Sequence, residues 1–419
     1  MPAELTSAPV SERETHSTTG RCPIDHHPYA VQKTARTSEP VGVPILRDAE
    51  GVWHVRGHEE ARAILRSPDT KQSGFKAELI ERLPRAMNLP ILYQEGKPHQ
   101  QQRKQTARFF TPKAVSANYR RLMETLSDQF VADLQSARRA DLSRLSLALA
   151  VRVAAEIIGL TNSRRPGMEK RLAVFFAMEP GDLSWRPSAL LRYLRGQTQI
   201  AAFYLLDVRP AIKARRRQPR EDVISHLIAQ GYRDSEILTE CVTYGAAGMI
   251  TTREFISVAT WHLLEQPALR ARYLVAPEAE RHAMLEEILR LEPVVGHLYR
   301  RATADLQIES NGGQVTIAEG DLIDVHIYAV NADEAVVGEQ PLALCPGREL
   351  HADRVAPSVM GFGDGQHRCP GSYVAIQETD IFLRLLLALD GLRIECAPTL
   401  SWNELVTGYE LRDFMLALD

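Results

Sequence analysis

One long helical stretch sets the architecture of this chain. It opens at Ser235, an N-cap-type residue, and runs to Gln266, where Pro267 stops it. At 1.5 Å per residue such a helix is on the order of 48 Å long. Its apolar residues fall on several sides, so it has to pass through a core and not over one. Helical patterns dominate elsewhere too, and alternating segments are few. They are Val52 to Val55, a hairpin-like stretch from Leu306 to Ile327 with turns at Gly312-Gly313 and Glu319-Gly320, and Leu411 to Leu418. The expected fold is mainly α with a small β-rich region.

A chain of 419 residues is long enough to bury such a helix, and length alone suggests roughly three domains. No linker, repeat or low-complexity tract separates them. Residues 1–20, rich in Ser, Thr and Glu, read as a disordered tail, and 21–419 as one domain. The formal net charge of −3 implies neither nucleic acid nor an acidic membrane surface as partner. Apolar runs are broken by charges well before the roughly 20 residues a membrane span needs. Pro2 to Ser11 has no apolar segment of the signal-peptide kind. Five scattered cysteines (Cys22, Cys241, Cys345, Cys369, Cys396) argue for a reducing compartment and against a disulfide framework or a zinc site. The run Lys213, Arg215, Arg216, Arg217, Arg220 reads as a solvated helix end sooner than as an anion patch.

The chemistry concentrates in Phe362-Gly363-Asp364-Gly365-Gln366-His367-Arg368-Cys369-Pro370-Gly371. An apolar run follows (Val374, Ala375, Ile376, then Ile381 to Leu389), so the sulfur lies at or just before a helix start. The dipole and free N–H groups there favour a thiolate. Glycines let backbone pass close to a flat ligand. Cys369 alone could equally be a structural cysteine in a turn. The spacing F-G-x-G-x-H-x-C-x-G, however, closely resembles the haem-binding loop of the cytochrome P-450 family, in which haem iron is held by a cysteine thiolate.

Four further segments extend the resemblance. In Ala246-Ala247-Gly248-Met249-Ile250-Thr251-Thr252, a mid-helix glycine costs about 1 kcal/mol relative to alanine and wants a reason. The Thr251 hydroxyl can bond back to the carbonyl four residues earlier. Small residues at a helix–helix contact are the plain alternative. The segment resembles the family's oxygen-binding groove, A-G-x-(D/E)-T, with Ala247, Gly248 and Thr251 matching and Ile250 where the acid belongs. Glu287 and Arg290 share a helix face, with Glu286 also in reach, and look like the family's E-x-x-R pair. With Arg348 of Pro346-Gly347-Arg348 they are read as a structural triad. His99 and Arg103, four apart, face one way. By resemblance they, Arg300 of Arg300-Arg301-Ala302 and His367 hold the haem propionates, with Arg301 facing outward. Phe362, Gly363 and Gly371 flank the haem in the loop.

The resemblance implies the cytochrome P-450 fold, with haem b between the long helix and the cysteine loop. It implies a bacterial-type, cytoplasmic haem monooxygenase that uses O2, with iron bound by Cys369 and Thr251 holding a water for protonation. Substrate is expected against Tyr244, Ala247, Val294, Val295, Leu298 and the turn at Val406-Thr407. A lid over Gly74 to Gln94, leucine-rich with few charges, suggests a small, mostly apolar organic molecule. No reductase domain is visible. Electrons are therefore expected from a ferredoxin or flavodoxin with its NAD(P)H-dependent reductase, docking on Lys104, Arg108, Lys113 and Arg368. Pro370 removes an N–H that relatives more often keep near the sulfur. With Ile250 in the acid position, protons are expected through water, Glu254 or the substrate. A peroxide-driven peroxygenase is the alternative within enzymes. Arg253, about 200° around the helix from Thr251, is expected to point away from the haem. A non-catalytic haem protein or gas sensor is the alternative of another class.

Overall fold

The structure, a computed structural model, describes residues 32–34, 43–75, 77, 88–176, 196–403 and 406–419. The tail 1–20 and the middle of the expected lid lie outside the described residues. Helices α1 (His58–Arg66), α2 (Gly96–Thr106), α3 (Arg120–Ala137) and α4 (Leu142–Ile158) form the first half. They are followed by α5 (Met168–Phe176), α6 (Arg209–Arg217) and α7 (Val223–Ala229). Then come α8 (Asp234–Glu265), α9 (Pro267–Val275), α10 (Glu278–Leu291) and α11 (Ser372–Leu387).

Helix α8 is the long helix of the sequence, begun one residue before Ser235. Its start is fixed by the N–H of Arg233, which donates to Glu236 Oε2 at 2.7 Å. Asp234 and Glu236 in the first turn suit the positive end of the dipole. Pro267 ends it by opening α9. Its second half is mostly buried, with Ile256, Val258, Ala259 and Leu263 fully covered. It packs chiefly on α4, while α11 packs on α3, α8 and α10.

A five-stranded sheet runs in the order β1 (Ile45–Arg47), β2 (Trp53–Val55), β8 (Leu322–His326), β5 (His297–Ala302), β3 (Thr70–Gln72). Val55, Ile323 and Val325 are fully buried in a second core cluster with α1. Strands β6 (Leu306–Ser310) and β7 (Gly313–Ile317) form a hairpin. The hairpin-like stretch expected over Leu306 to Ile327 is hairpin only in its first part: its last strand, β8, leaves to pair with β2 and β5. Strands β4 (Arg139–Asp141), β9 (Leu392–Cys396) and β12 (Met415–Leu418) make a third sheet. The hairpin of β10 (Thr399–Asn403) and β11 (Gly408–Arg412) completes the β structure described. The segment Leu411 to Leu418 is likewise two strands, broken at Asp413, which takes a φ of 55°.

Two sequence expectations fail. Cys345 is disulfide-bonded, whereas Cys241, Cys369 and Cys396 are free, so the scattered spacing did not mean unpaired thiols throughout. Within the basic run, Arg215 is buried, bonded to Asp222, and donates to Asn162 Oδ1 at 3.0 Å and Thr161 Oγ1 at 2.9 Å. It is a structural cation, while Lys213, Arg216, Arg217 and Arg220 are exposed as expected.

Candidate active site

The cysteine loop is folded by its glycines and by its neighbours. Gly363 and Gly365 take φ of 68° and 67°. A Cβ on Gly365 would lie 2.1 Å from the carbonyl oxygen of Leu65, so α1 closes on bare backbone there. Arg66, at the end of α1, pairs with Asp364 at 2.8 Å. The N–H of Cys369 donates to the Phe362 carbonyl at 2.8 Å, which turns the half-buried thiol back over the loop. Helix α11 starts three residues later. Burial pushes the Cys369 thiol up, against the opposing pull of the Gly371 N–H and the charges of Arg103 and Arg368. The Gly371 N–H at the helix end favours the thiolate, as the sequence suggested, but burial outweighs it. An electrophile at the sulfur would favour the thiolate further.

On α8 the Thr251 hydroxyl donates to the Ala247 carbonyl at 2.6 Å. Ala247 is exposed and Gly248 and Thr251 are half-buried, on a helix otherwise deep in the core. Gly248 also serves the plainer purpose: its Cβ position lies 3.4 Å from the Ala154 methyl, which lets α4 approach. Ile250 is buried. Glu254 is fully buried and committed elsewhere. It accepts from the Leu411 N–H at 2.8 Å, from Arg412 at 2.8 Å and from Arg253 at 2.7 Å. This corrects its expected place in a proton route, and it holds Arg253 toward β11, as expected for an arginine facing away.

Four propionate donors were expected at one place, and three of those side chains lie together. His99 on α2 stacks on His367 with ring centroids 4.3 Å apart. His367 Nε2 lies 3.1 Å from Glu95 Oε2, and Glu95 Oε1 accepts from the Gln72 N–H at 2.7 Å. Arg300 is brought in by the pairing of β3 with β5, which sets it opposite Gln72, whose side chain it bonds. Arg103 is one turn away and donates to the Arg368 carbonyl beside the thiol. Burial, aided by His367, pushes His99 down to about 4. Glu95 and Gln72 were missed. An acid just ahead of α2 carries no local signal of its role. Arg301 faces outward onto the Gly320 carbonyl, as expected.

Comparison with known proteins points to one family. The family described as Cytochrome P-450 matches residues 282–389. Cytochrome P-450-SU2 of Streptomyces griseolus is 29% identical over 404 residues, covering 92% of this chain and 91% of that protein. Pentalenic acid synthase of Streptomyces avermitilis is 28% identical over 407 residues, covering 94% and 93%. The crystal structure of CalO2 superposes with a TM-score of 0.72 at 24% identity, over 90% of this chain and 93% of that one. These matches together support a cytochrome P-450. It is an oxygen-incorporating oxidoreductase, a haem-thiolate monooxygenase with haem b as prosthetic group.

The residues of this cytochrome P-450 fit that group. Among the described residues His99 Nδ1 is buried without a partner, and Arg300 is buried with one neutral bond and one shared carboxylate. Such a cluster calls for an anion. The free Cys369 and the bare backbone of Gly363 and Gly371 offer a ligand atom beside a surface a flat ring can approach.

The expected pocket residues gather from two directions. Val294 and Val295 lead into β5, where Leu298 approaches the cysteine loop, 3.6 Å from the Cβ position of Gly363. The turn at Val406-Thr407 is pinned to them. The Gly296 N–H donates to the Thr407 carbonyl at 2.9 Å, and the Thr407 hydroxyl to the His297 carbonyl at 3.2 Å. A Cβ on Gly408 would strike the Val294 carbonyl at 1.8 Å. Tyr244 instead stacks on Phe110, centroids 6.0 Å apart, near Thr106 and Arg103 on the α2 side. One turn earlier on the same face stands Glu240, also missed. It takes the Ile91 N–H at 3.0 Å and Gln102 at 2.7 Å, and anchors the described end of the lid. An acid in register with Tyr244, Gly248 and Thr251 was the signal available.

The structural triad forms as expected. Arg290 is bidentate to Glu287 at 2.7 and 2.8 Å, and Arg348 reaches Glu287 at 3.4 Å. The two arginines also bind the carbonyls of Asn331, Pro341, Val337 and Gln340. Asn331 in turn accepts from the Met360 N–H at 2.8 Å, tying the triad to the segment that enters the cysteine loop.

Proposed function

We propose that this cytochrome P-450 inserts one atom of O2 into a small, largely apolar organic substrate. The other atom leaves as water, with two protons and two electrons delivered from outside. Electrons come one at a time from a separate ferredoxin or flavodoxin and its NAD(P)H-dependent reductase. The observation that carries the reading is the Thr251–Ala247 bond on an open face of α8, and the substrate is taken to lie between it and the aliphatic side chains of Val294, Val295, Leu298 and Val406. Residues 21–419 act as one catalytic domain, working in the cytoplasm.

Haem, when bound, supplies the oxygen chemistry. Cys369 is its iron ligand, and His99, Arg300 and His367 take the propionates, with Arg103 holding the loop at the sulfur. Phe362, Gly363 and Gly371 give the ring its flat neighbour. Thr251 has spent its proton on Ala247, so its oxygen can only accept, which holds a water in the groove with that water's proton outward. Ile250 offers no acid and Glu254 is committed, so protons arrive through water or through a polar group of the substrate. Tyr244 with Ala247 bounds the substrate from the helix side.

Lys104, Arg108, Lys113 and Arg368 are exposed. A cleft of about 430 Å³ beside Arg368 adds Arg62, Arg66 and Arg354 to a basic face suited to an acidic carrier. The test is aerobic turnover of compounds that shift the Soret band, with a reduced ferredoxin system against peroxide alone. Product is expected with ferredoxin, at a rate that falls with added salt. Equal turnover with peroxide alone would establish the peroxygenase instead.

A further inference from the structure

The side of the five-stranded sheet away from its apolar core carries a polar cluster that monooxygenase chemistry does not use. Asp324 and His326 stand two apart on β8 and so share a face. The parallel pairing with β2 sets His54 opposite Asp324, and the antiparallel pairing with β5 sets His297 opposite His326. Three imidazoles and a carboxylate thus meet on one face, with Asp324 and His326 buried and His54 half-buried.

The hydrogen bonds around the cluster orient it inward. Asp48 Oδ2 lies 2.8 Å from His54 Nε2, which places the proton on that nitrogen and leaves Nδ1 as a lone pair. His297 Nδ1 lies 2.9 Å from Asp324 Oδ1, which leaves Oδ2 facing the other two rings. His54 Nδ1, His326 Nε2 and Asp324 Oδ2 then converge, at 2.8 Å between the nitrogens and 3.5 and 3.3 Å from each to the oxygen. Bonds of 2.0–2.1 Å at tetrahedral angles put ligand atoms about 3.3 Å apart. Carboxylates that fix imidazole tautomers from behind are the usual surroundings of a metal.

We propose that His54, His326 and Asp324 form a binding site for a divalent transition-metal ion of the zinc class, with water as fourth ligand. Asp48 and His297 are positioning residues. The ion clamps β2 to β8, next to the strand that carries Leu298 and Arg300. Two histidines and a carboxylate suit zinc, and its charge balances Asp324, beside His54, His297 and His326, and Asp48, behind His54. The half-exposed edge of His54 gives the ion and its water a way in.

The haem-loaded protein, stripped with chelator, is dialysed against Zn2+ alone and assayed for bound metal and thermal midpoint. About one zinc per chain and a raised midpoint are expected in the wild type. His54→Ala and Asp324→Asn should each weaken uptake about 10- to 100-fold, with the ferrous–CO spectrum unchanged as the sign of an intact fold. His54, partly exposed, is the safe variant if Asp324→Asn fails to fold. No stoichiometric uptake, or uptake indifferent to His54→Ala, overturns the site and leaves a proton-sharing cluster. Neither result bears on the monooxygenase reading, which rests on other residues.

Discussion

Thr251 gives its hydroxyl proton to the Ala247 carbonyl one turn back, at 2.6 Å. That bond fixes the side chain's rotamer and leaves only lone pairs for a water in the groove. Thr251→Ala should lower product formed per electron pair by roughly an order of magnitude, below the full effect of a lost proton donor because water still enters. Thr251→Ser should restore most of it. Ile250→Asp should raise coupling, because it adds the missing acid. Product and consumed NAD(P)H, measured together, check all three.

Glu287 binds two arginines and the Cys345 N–H in a dry site. Glu287→Ala leaves Arg290 buried and unpaired. The expected cost is about 3–5 kcal/mol, seen as a lower denaturation midpoint and poor haem incorporation. Glu286→Ala, one residue away and half-buried, should do far less.

Glu378 on α11 is buried, and among the described residues its Oε1 has no partner. Burial raises its carboxyl to about 8 from an unfolded value near 4.5. Between those values the folded state keeps a proton that the unfolded chain has released. Stability therefore falls as pH rises from about 4.5 to 8, by up to about 1.4 kcal/mol per unit for this one group. Glu378→Gln should flatten that slope and raise the midpoint at pH 8, as measured by urea titrations at several pH values. A variant with the wild-type slope would exclude Glu378 as the source.

Gly365→Ala puts a methyl on the Leu65 carbonyl at a φ of 67°. The loop has to move, at a cost of about 1–3 kcal/mol. The yield of the thiolate-type ferrous–CO band should drop. Gly312→Ala, also at positive φ but meeting nothing within 4 Å, serves as the control for backbone strain alone.

Pro370 cannot donate to the sulfur, which keeps the Gly371 N–H as its backbone donor. Pro370→Leu adds an N–H and should shift the iron potential upward. Redox titration of both proteins checks the sign.

The residues themselves determined the long helix, the cysteine loop and the Glu287–Arg290 pair, because cap chemistry, helical period and glycine spacing are written in contiguous sequence. The pairings were not. Gln72 meets Arg300, Glu95 meets His367, and Glu254 meets Arg412 only because strands and helices distant in sequence pack together. The departure of β8 from its expected hairpin, which gathers His54, Asp324 and His326, is of the same kind. Local pattern states which face a side chain takes. What stands opposite that face, and so whether a buried charge is spent or free to act, is decided by tertiary packing, since the partner's position depends on the whole core closing around it.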